Sequence, residues 1–152
     1  MKEACFTTTQ DVRAPRDEVF AFFRDPANLQ ALTPPWLGFR ILTPEPLPVG
    51  EGALYDYQLR LHGLPLRWRT RIEAWEPPYR FVDTQIQGPY ALWHHTHTFE
   101  DLPEGGTRLG DRVCYRIGFG PLGSLAAPWV RRDIERIFAF RRHVIERAFG
   151  GG

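Results

Sequence analysis

The chain is poor in several things at once, and each shortage narrows what it can be. Of 19 basic residues only Lys2 is a lysine, and 18 acidic residues leave a formal charge of +1. That balance creates no overall field to attract nucleic acid or an anionic membrane. There are only two cysteines, Cys5 and Cys114. They form no C-x-x-C pair and suggest no disulfide framework. The longest apolar run, Val19 to Phe23, is far too short to span a bilayer, and the N-terminus lacks the apolar core of a signal peptide. Together these absences point to a soluble, cytoplasmic protein without stable membrane insertion. No G-x-S-x-G elbow and no convincing Ser-His-Asp or Cys-His set is present. Gly118-x-Gly120-Pro121-x-x-Gly123 precedes a helical pattern but lacks the Lys-Ser/Thr of a phosphate loop. It is expected to act as a hinge over a cavity mouth. No cofactor is implied.

What the chain does have is bulk and turns: 14% aromatic residues, 14 glycines and 14 prolines in 152 residues. The length suits one domain, residues 1–152, able to bury roughly 70% of its unfolded surface. Residues 3–12 read as a strand with Phe6, Thr8 and Val12 on one face. Pro15 suits the first turn of a helix, and Val19, Phe22 and Phe23 give it an apolar stripe. Asp25-Pro26 ends it and opens a second short helix, buried through Leu29 and Leu32 and stopped by Pro34-Pro35. From Phe39 to Ile117 the apolar period becomes two, broken at Pro44–Gly52, His62-Gly63, Pro77-Pro78, Gly88-Pro89 and Pro103–Gly106. This predicts about six more strands joined by short hairpins, hence an antiparallel sheet. A long helix, about Leu125 to Phe149, follows. Val130, Ile134, Ile137, Phe138, Ile145 and Ala148 form its apolar stripe. The order predicts an α+β fold.

Several segments resemble the START-like, or SRPBCC, superfamily, which includes the birch-pollen-allergen fold and the polyketide cyclase/dehydrase-like proteins. They are Val12 to Phe20; Asn28-Leu29 with Thr33-Pro34-Pro35-Trp36; Trp68 to Ile72; Phe81-Val82-Asp83; Gly88-Pro89; Trp93-x-His95-x-His97-x-Phe99; Gly106-Thr107; Phe119 to Gly123; and Ile137-Phe138 to Arg141. The resemblance spans almost the whole chain. It implies a helix-grip fold: a curved, roughly seven-stranded antiparallel sheet wrapped around the long C-terminal helix and enclosing an apolar cavity, with two short helices after the first strand. It also implies a ligand such as a lipid, sterol, polyketide or plant hormone, though fold alone does not set function.

The stretch most in need of explanation is Trp93 to Phe99. On a strand, Trp93, His95, His97 and Phe99 share one face. Two imidazoles then stand roughly 7 Å apart at Cβ between two large aromatics, while His94 points the other way. They are histidines held in the core by hydrogen bonds, groups that orient a ligand or move a proton, or two ligands of a metal site that commonly wants more; no metal is expected. Asp111 falls on the inward face of strand 107–117 with Leu109, Val113, Tyr115 and Ile117. The hairpin at Pro103–Gly106 brings it near His95 or His97, unless the register slips by one residue. Otherwise it is a structural carboxylate near the sheet rim. His95, His97 and Asp111 are the candidate catalytic groups.

Arg141 projects within about 20° of Ile134, in the middle of the apolar stripe. An Arg there is paired inside the protein, with Asp111 or Asp83, or meets an anionic ligand. Asp83 and Gln85 alternate with Phe81 and could add polarity to the same wall, although Val82, Thr84 and Ile86 make the better apolar face. Tyr57, Trp68, Trp93, Tyr115 and Phe138 complete the expected ligand contacts, with Tyr55 as a further apolar wall. Arg67, Arg69 and Arg71 form a solvated outer stripe, because Trp68 alternates inward where a nucleic-acid surface would need it exposed. The expected function is binding of a small, largely apolar or amphipathic molecule whose polar or acidic end meets Arg141 and the His95/His97/Asp111 cluster. The alternatives are a cyclase or dehydratase that uses a cavity histidine, and an interaction module with a vestigial cavity.

Overall fold

A computed structural model describes residues 2–150. The strands are β1 (Ala4–Val12), β2 (Arg40–Ile41), β3 (Leu54–Leu61), β4 (Leu64–Glu76), β5 (Arg80–Gln87), β6 (Tyr90–Asp101) and β7 (Thr107–Ile117). The helices are α1 (Arg16–Phe23), α2 (Asn28–Leu32) and α3 (Pro121–Phe149), with one 3-10 turn at Pro35–Leu37. All seven strands pair antiparallel in the order β1-β7-β6-β5-β4-β3-β2. The expected α+β helix-grip architecture is what the chain adopts.

Curvature comes from β4. Its register against β5 shifts between Arg69 and Thr70 and again between Ile72 and Ala74. A bulge adds a residue, bends the strand and reverses which side chains face inward. Trp68, Thr70 and Ile72 alternate inward, and after the second shift Trp75 does so as well. Trp75 packs against Phe20 of α1 at 5.4 Å between ring centroids and against Phe81 of β5 at 5.6 Å.

The long helix ends at Phe149 as expected but starts earlier, and its apolar stripe differs at the last turn. It starts at Pro121 and runs through Pro128, so Pro121 and Gly123 of the Gly-rich run belong to the helix while Gly118 and Gly120 lead into it. Gly123 is needed there for close approach, because a β-carbon would collide with the carbonyl oxygen of Gly118. Before Ile134 the helix buries only Gly123, and Phe119, Leu122, Leu125 and Trp129 stay exposed. At the other end Ala148 is exposed, and Phe149 packs instead, edge-on to Phe22 at 5.3 Å. Among the described residues no helix is long and apolar enough to cross a membrane.

Two apolar clusters make up the core. One gathers Val12, Val19, Phe20, Phe81, Phe99, Leu109 and Ile145; the other gathers Val113, Tyr115, Ile117, Ile134 and Phe138. The boundary between them crosses each element at a polar residue. Along β7 it falls at Asp111, along β6 at His95 and His97, and along α3 at Arg141.

One expectation is overturned. Cys5 and Cys114 lie directly opposite each other on β1 and β7 and are joined as a disulfide. Their 109-residue separation hid the pairing, which only the β1–β7 register creates. Such a bond persists mainly in oxidising surroundings. Because it closes a long loop, Cys114→Ser should lower the unfolding free energy by about 2–4 kcal/mol. Urea titration of oxidised wild type and the variant measures this, and equal midpoints would mean that the two sulfurs are not bonded.

Candidate ligand cavity

The site starts from a column of stacked rings. Phe81 and His97 lie 4.1 Å apart at their centroids with 14° between planes; His97 and His95 follow at 3.7 Å and 28°. Phe138 on α3 meets His95 edge-on at 5.5 Å. Stacking fixes the imidazole planes, so their nitrogens point sideways to a carboxylate on either side.

On one side is Asp83. His97 Nε2 donates to Asp83 Oδ2 at 2.6 Å, and His95 Nδ1 stands 3.8 Å from the same oxygen. On the other side is Asp111. His95 Nε2 donates to Asp111 Oδ1 at 2.7 Å, and Arg141 Nη2 donates to that oxygen at 3.3 Å. Arg141 Nη2 also reaches His97 Nδ1 at 3.4 Å. A guanidinium only donates, so His97 Nδ1 is the unprotonated nitrogen and Nε2 carries the proton given to Asp83. The bond to Asp111 likewise places a proton on His95 Nε2. His95 Nδ1 and Asp83 Oδ1 make no hydrogen bond among the described residues. The Arg141 guanidinium also lies 5.0 Å from the Phe23 ring and 5.8 Å from that of Phe138, close enough for cation–π attraction.

Charge follows from this packing. Burial lowers the pKa of His97 to about 4, reinforced by neighbouring His95 and only partly opposed by Asp83. Burial alone would raise both aspartates. For Asp111 the Arg141 charge and the His95 hydrogen bond outweigh it, and for Asp83 the His97 hydrogen bond does so with help from His95 and Arg141. Both carboxyls are therefore held below their ordinary value, and His97 is neutral at pH 7.

This polar belt forms one wall of a cavity of about 220 Å³ between the sheet, α3 and the α1–α2 connection. Of the residues expected from the sequence, Tyr57, Trp68, Asp83, Trp93, His95, His97, Phe138 and Arg141 line it. Three do not. Asp111 sits behind His95, where it supports the ring. Tyr115 is buried in the cluster beneath α3. Gln85 holds the β5–β6 turn, donating to the Tyr90 carbonyl at 2.8 Å and accepting from its amide at 3.1 Å. Asp83 faces inward despite the apolar alternative on its strand; Ile86, a member of that alternative face, is exposed.

The walls that sequence reasoning missed as ligand contacts are Phe23, Leu29 and Leu32 from the small helices, Phe39 ahead of β2, Thr70 of β4 and Ile137 of α3. Phe23, Leu29 and Leu32 were legible as apolar stripes, but a stripe does not reveal that it faces a space. Asp83, His95 and His97 each bring one possible ligand atom within 4.8 Å of the others. That set could hold a divalent cation, in competition with the His97–Asp83 hydrogen bond. Glu3, Cys5 and Cys114 form a second such group, but its sulfurs are tied in the disulfide.

Comparison with known proteins accords with this architecture. Residues 3–142 match the sequence model of the family described as polyketide cyclase / dehydrase and lipid transport. The chain belongs to that family. It is 34% identical over 101 residues to Uncharacterized protein MT1597 of Mycobacterium tuberculosis, covering 65% of this chain and 68% of that one. Among solved structures, TTHA0849 of Thermus thermophilus aligns over 97% of this chain and 99% of its own, with TM-score 0.69 and 18% identity. The di-domain ARO/CYC StfQ from the steffimycin biosynthetic pathway aligns over 97% of this chain and 50% of its own, with TM-score 0.74 and 19% identity. At these identities the structural likeness concerns the fold.

Two predictions arise from the belt. The folded-state pKa of His97 lies below its unfolded value of about 6.5, so the unfolded chain binds more protons between those values. Stability should therefore fall as pH drops from about 6.5 toward 4, by up to about 3 kcal/mol from this group. His97→Gln should flatten that part of the profile in urea titrations, and an unchanged slope would contradict it. Arg141→Leu should cost about 3–5 kcal/mol by leaving Asp111 buried without its cation. Adding Asp111→Asn should recover part of the loss, and additive losses in the double variant would argue against the pair.

Proposed function

We propose that the protein binds a compact, largely apolar small molecule between the sheet and α3, with its polar end against Asp83, His95 and Arg141. The carrying observation is a cavity whose largely apolar wall includes Tyr57, Trp68, Trp93 and Phe138 and which meets the charged belt on one side. A few polar anchors on apolar walls are the usual design of a ligand site. At about 220 Å³ the cavity lies below the roughly 300–1,000 Å³ common for ligand pockets, which favours a single ring or short chain over a fused multi-ring body. The family's description, cyclase/dehydrase and lipid transport, supports an apolar ligand and leaves its identity open.

A specific observation favours a second reading, that of an enzyme. His95 lines the cavity with Nδ1 making no hydrogen bond, while Asp111 holds Nε2 and so orients the ring. That is the arrangement of a general base with its positioning group. His97 has neither nitrogen free for this role. The third reading, an interaction module, finds support in the exposed Phe119, Leu122, Leu125 and Trp129, but it also requires a tightly packed interior, and the cavity argues against that.

A native mass spectrum of gently purified protein should show an organic adduct lost on denaturation. Leu29→Trp, which fills the α2 side of the cavity, should remove that adduct while the fold, followed by circular dichroism, persists. An adduct retained in this variant would place the ligand elsewhere. Turnover of a bound carbonyl compound that disappears in His95→Gln but survives in His97→Gln would establish the enzyme reading.

A further inference from the structure

Counting charges across the belt gives the sign of the ligand's polar end. Two carboxylates, Asp83 and Asp111, face one guanidinium. Arg141 is matched to Asp111 at 3.3 Å. Asp83 has only imidazoles within 4 Å, His97 at 2.6 Å and His95 at 3.8 Å. Its side chain is 20% exposed, on the cavity wall. At the rim, the exposed Arg24 and Asp25 offset each other. The belt thus presents to the cavity one carboxylate with no guanidinium or ammonium in contact, the Arg141 charge reaching it only from a distance. Two acceptors, Asp83 Oδ1 and His95 Nδ1, make no hydrogen bond among the described residues, and one buried donor, Arg141 Nε, makes none either.

We infer that the cavity takes an amine, bound as its ammonium form by Asp83 and His95 Nδ1, with an aromatic or aliphatic body against Tyr57, Trp68 and Trp93. This rests on the cavity-binding reading and sharpens it. It also reverses the expectation of an acidic ligand on Arg141, whose positive charge Asp111 already matches. A buried carboxylate strongly favours a cationic partner over an anion, which would stand beside an unmatched like charge. The indole and phenol faces around the cavity offset part of the cost of drying an ammonium.

The test is a matched series of near-equal shape: 3-phenylpropylamine, 3-phenylpropan-1-ol and 3-phenylpropionate. Binding is measured by calorimetry at pH 7.5 and by the fluorescence of Trp68 and Trp93. The amine should bind roughly tenfold or more tightly than either other compound, the margin of a charge-assisted hydrogen bond. Asp83→Asn should bring the amine down to the alcohol's affinity and leave the alcohol within about twofold, which also shows that the variant is folded. If that variant does not fold, the wild-type ranking decides alone. The alcohol or acid binding as well as the amine would overturn the inference while leaving the cavity-binding reading intact. An amine preference that survives in folded Asp83→Asn, or that vanishes on treatment with EDTA and so depends on a bound metal, would overturn it too. No binding by any of the three would defeat both readings.

Discussion

The buried pair between Asp111 and Arg141 is the constraint around which the interior is arranged. An arginine in the middle of an apolar helical stripe is tolerable only when its charge is met where it lies. Asp111 meets it from β7, and the same oxygen holds His95. This one atom therefore ties the helix to two neighbouring strands. It fixes the rotation of α3 as well, since Arg141 must face β7 for Ile134 and Phe138 to enter one apolar cluster and Ile145 the other. A buried ion pair contributes little net stability against an apolar substitute. Its consequence here is positional: it divides the core into two parts and keeps a polar boundary between them.

That boundary is useful only because the sheet is curved. Without the bulges in β4, Trp75 would point away from Phe20 and Phe81, and the sheet would lie flatter under α3. With them, Trp75 joins Trp68, Thr70 and Ile72 along the cavity between the sheet and α3. The polar belt then forms its wall. The disulfide joins β1 to β7 at Cys114, three residues from Asp111. It reinforces the strand that carries the central carboxylate, on the face opposite the ligand side.

Much of this was legible in the sequence because side-chain alternation is a local property. Once Trp93 and Phe99 are inward, His95 and His97 must be inward too. Arg141 follows in the same way from the 100° step of a helix. Asp111 needed only a short hairpin to bring it into register. What could not be read depends on contacts distant along the chain. The Cys5–Cys114 bond exists because β1 and β7 are neighbours, a pairing no spacing reveals. Gln85 satisfies a turn that forms only after β5 and β6 meet. Tyr115 and Trp93 share an inward pattern, yet one is covered by α3 and the other faces the cavity. The start of α3 was misplaced because glycines that elsewhere mark a loop are here required for close helix packing.

Family membership narrows the ligand less than the belt does. A cavity under a curved sheet accepts many apolar bodies, and the walls discriminate among them mainly by size. A carboxylate without a matching cation discriminates by sign, and in a partly dried site sign carries more free energy than shape. The stacked imidazoles make that selection rigid. His97, wedged between Phe81 and His95, cannot turn to shield Asp83 from a ligand, and its buried neutral form supplies a hydrogen bond without supplying charge. Any molecule that fits the walls must therefore also answer Asp83, and the same requirement would govern a substrate if His95 acts as a base, because a proton taken at Nδ1 would be stabilised by the carboxylates on both sides of the ring.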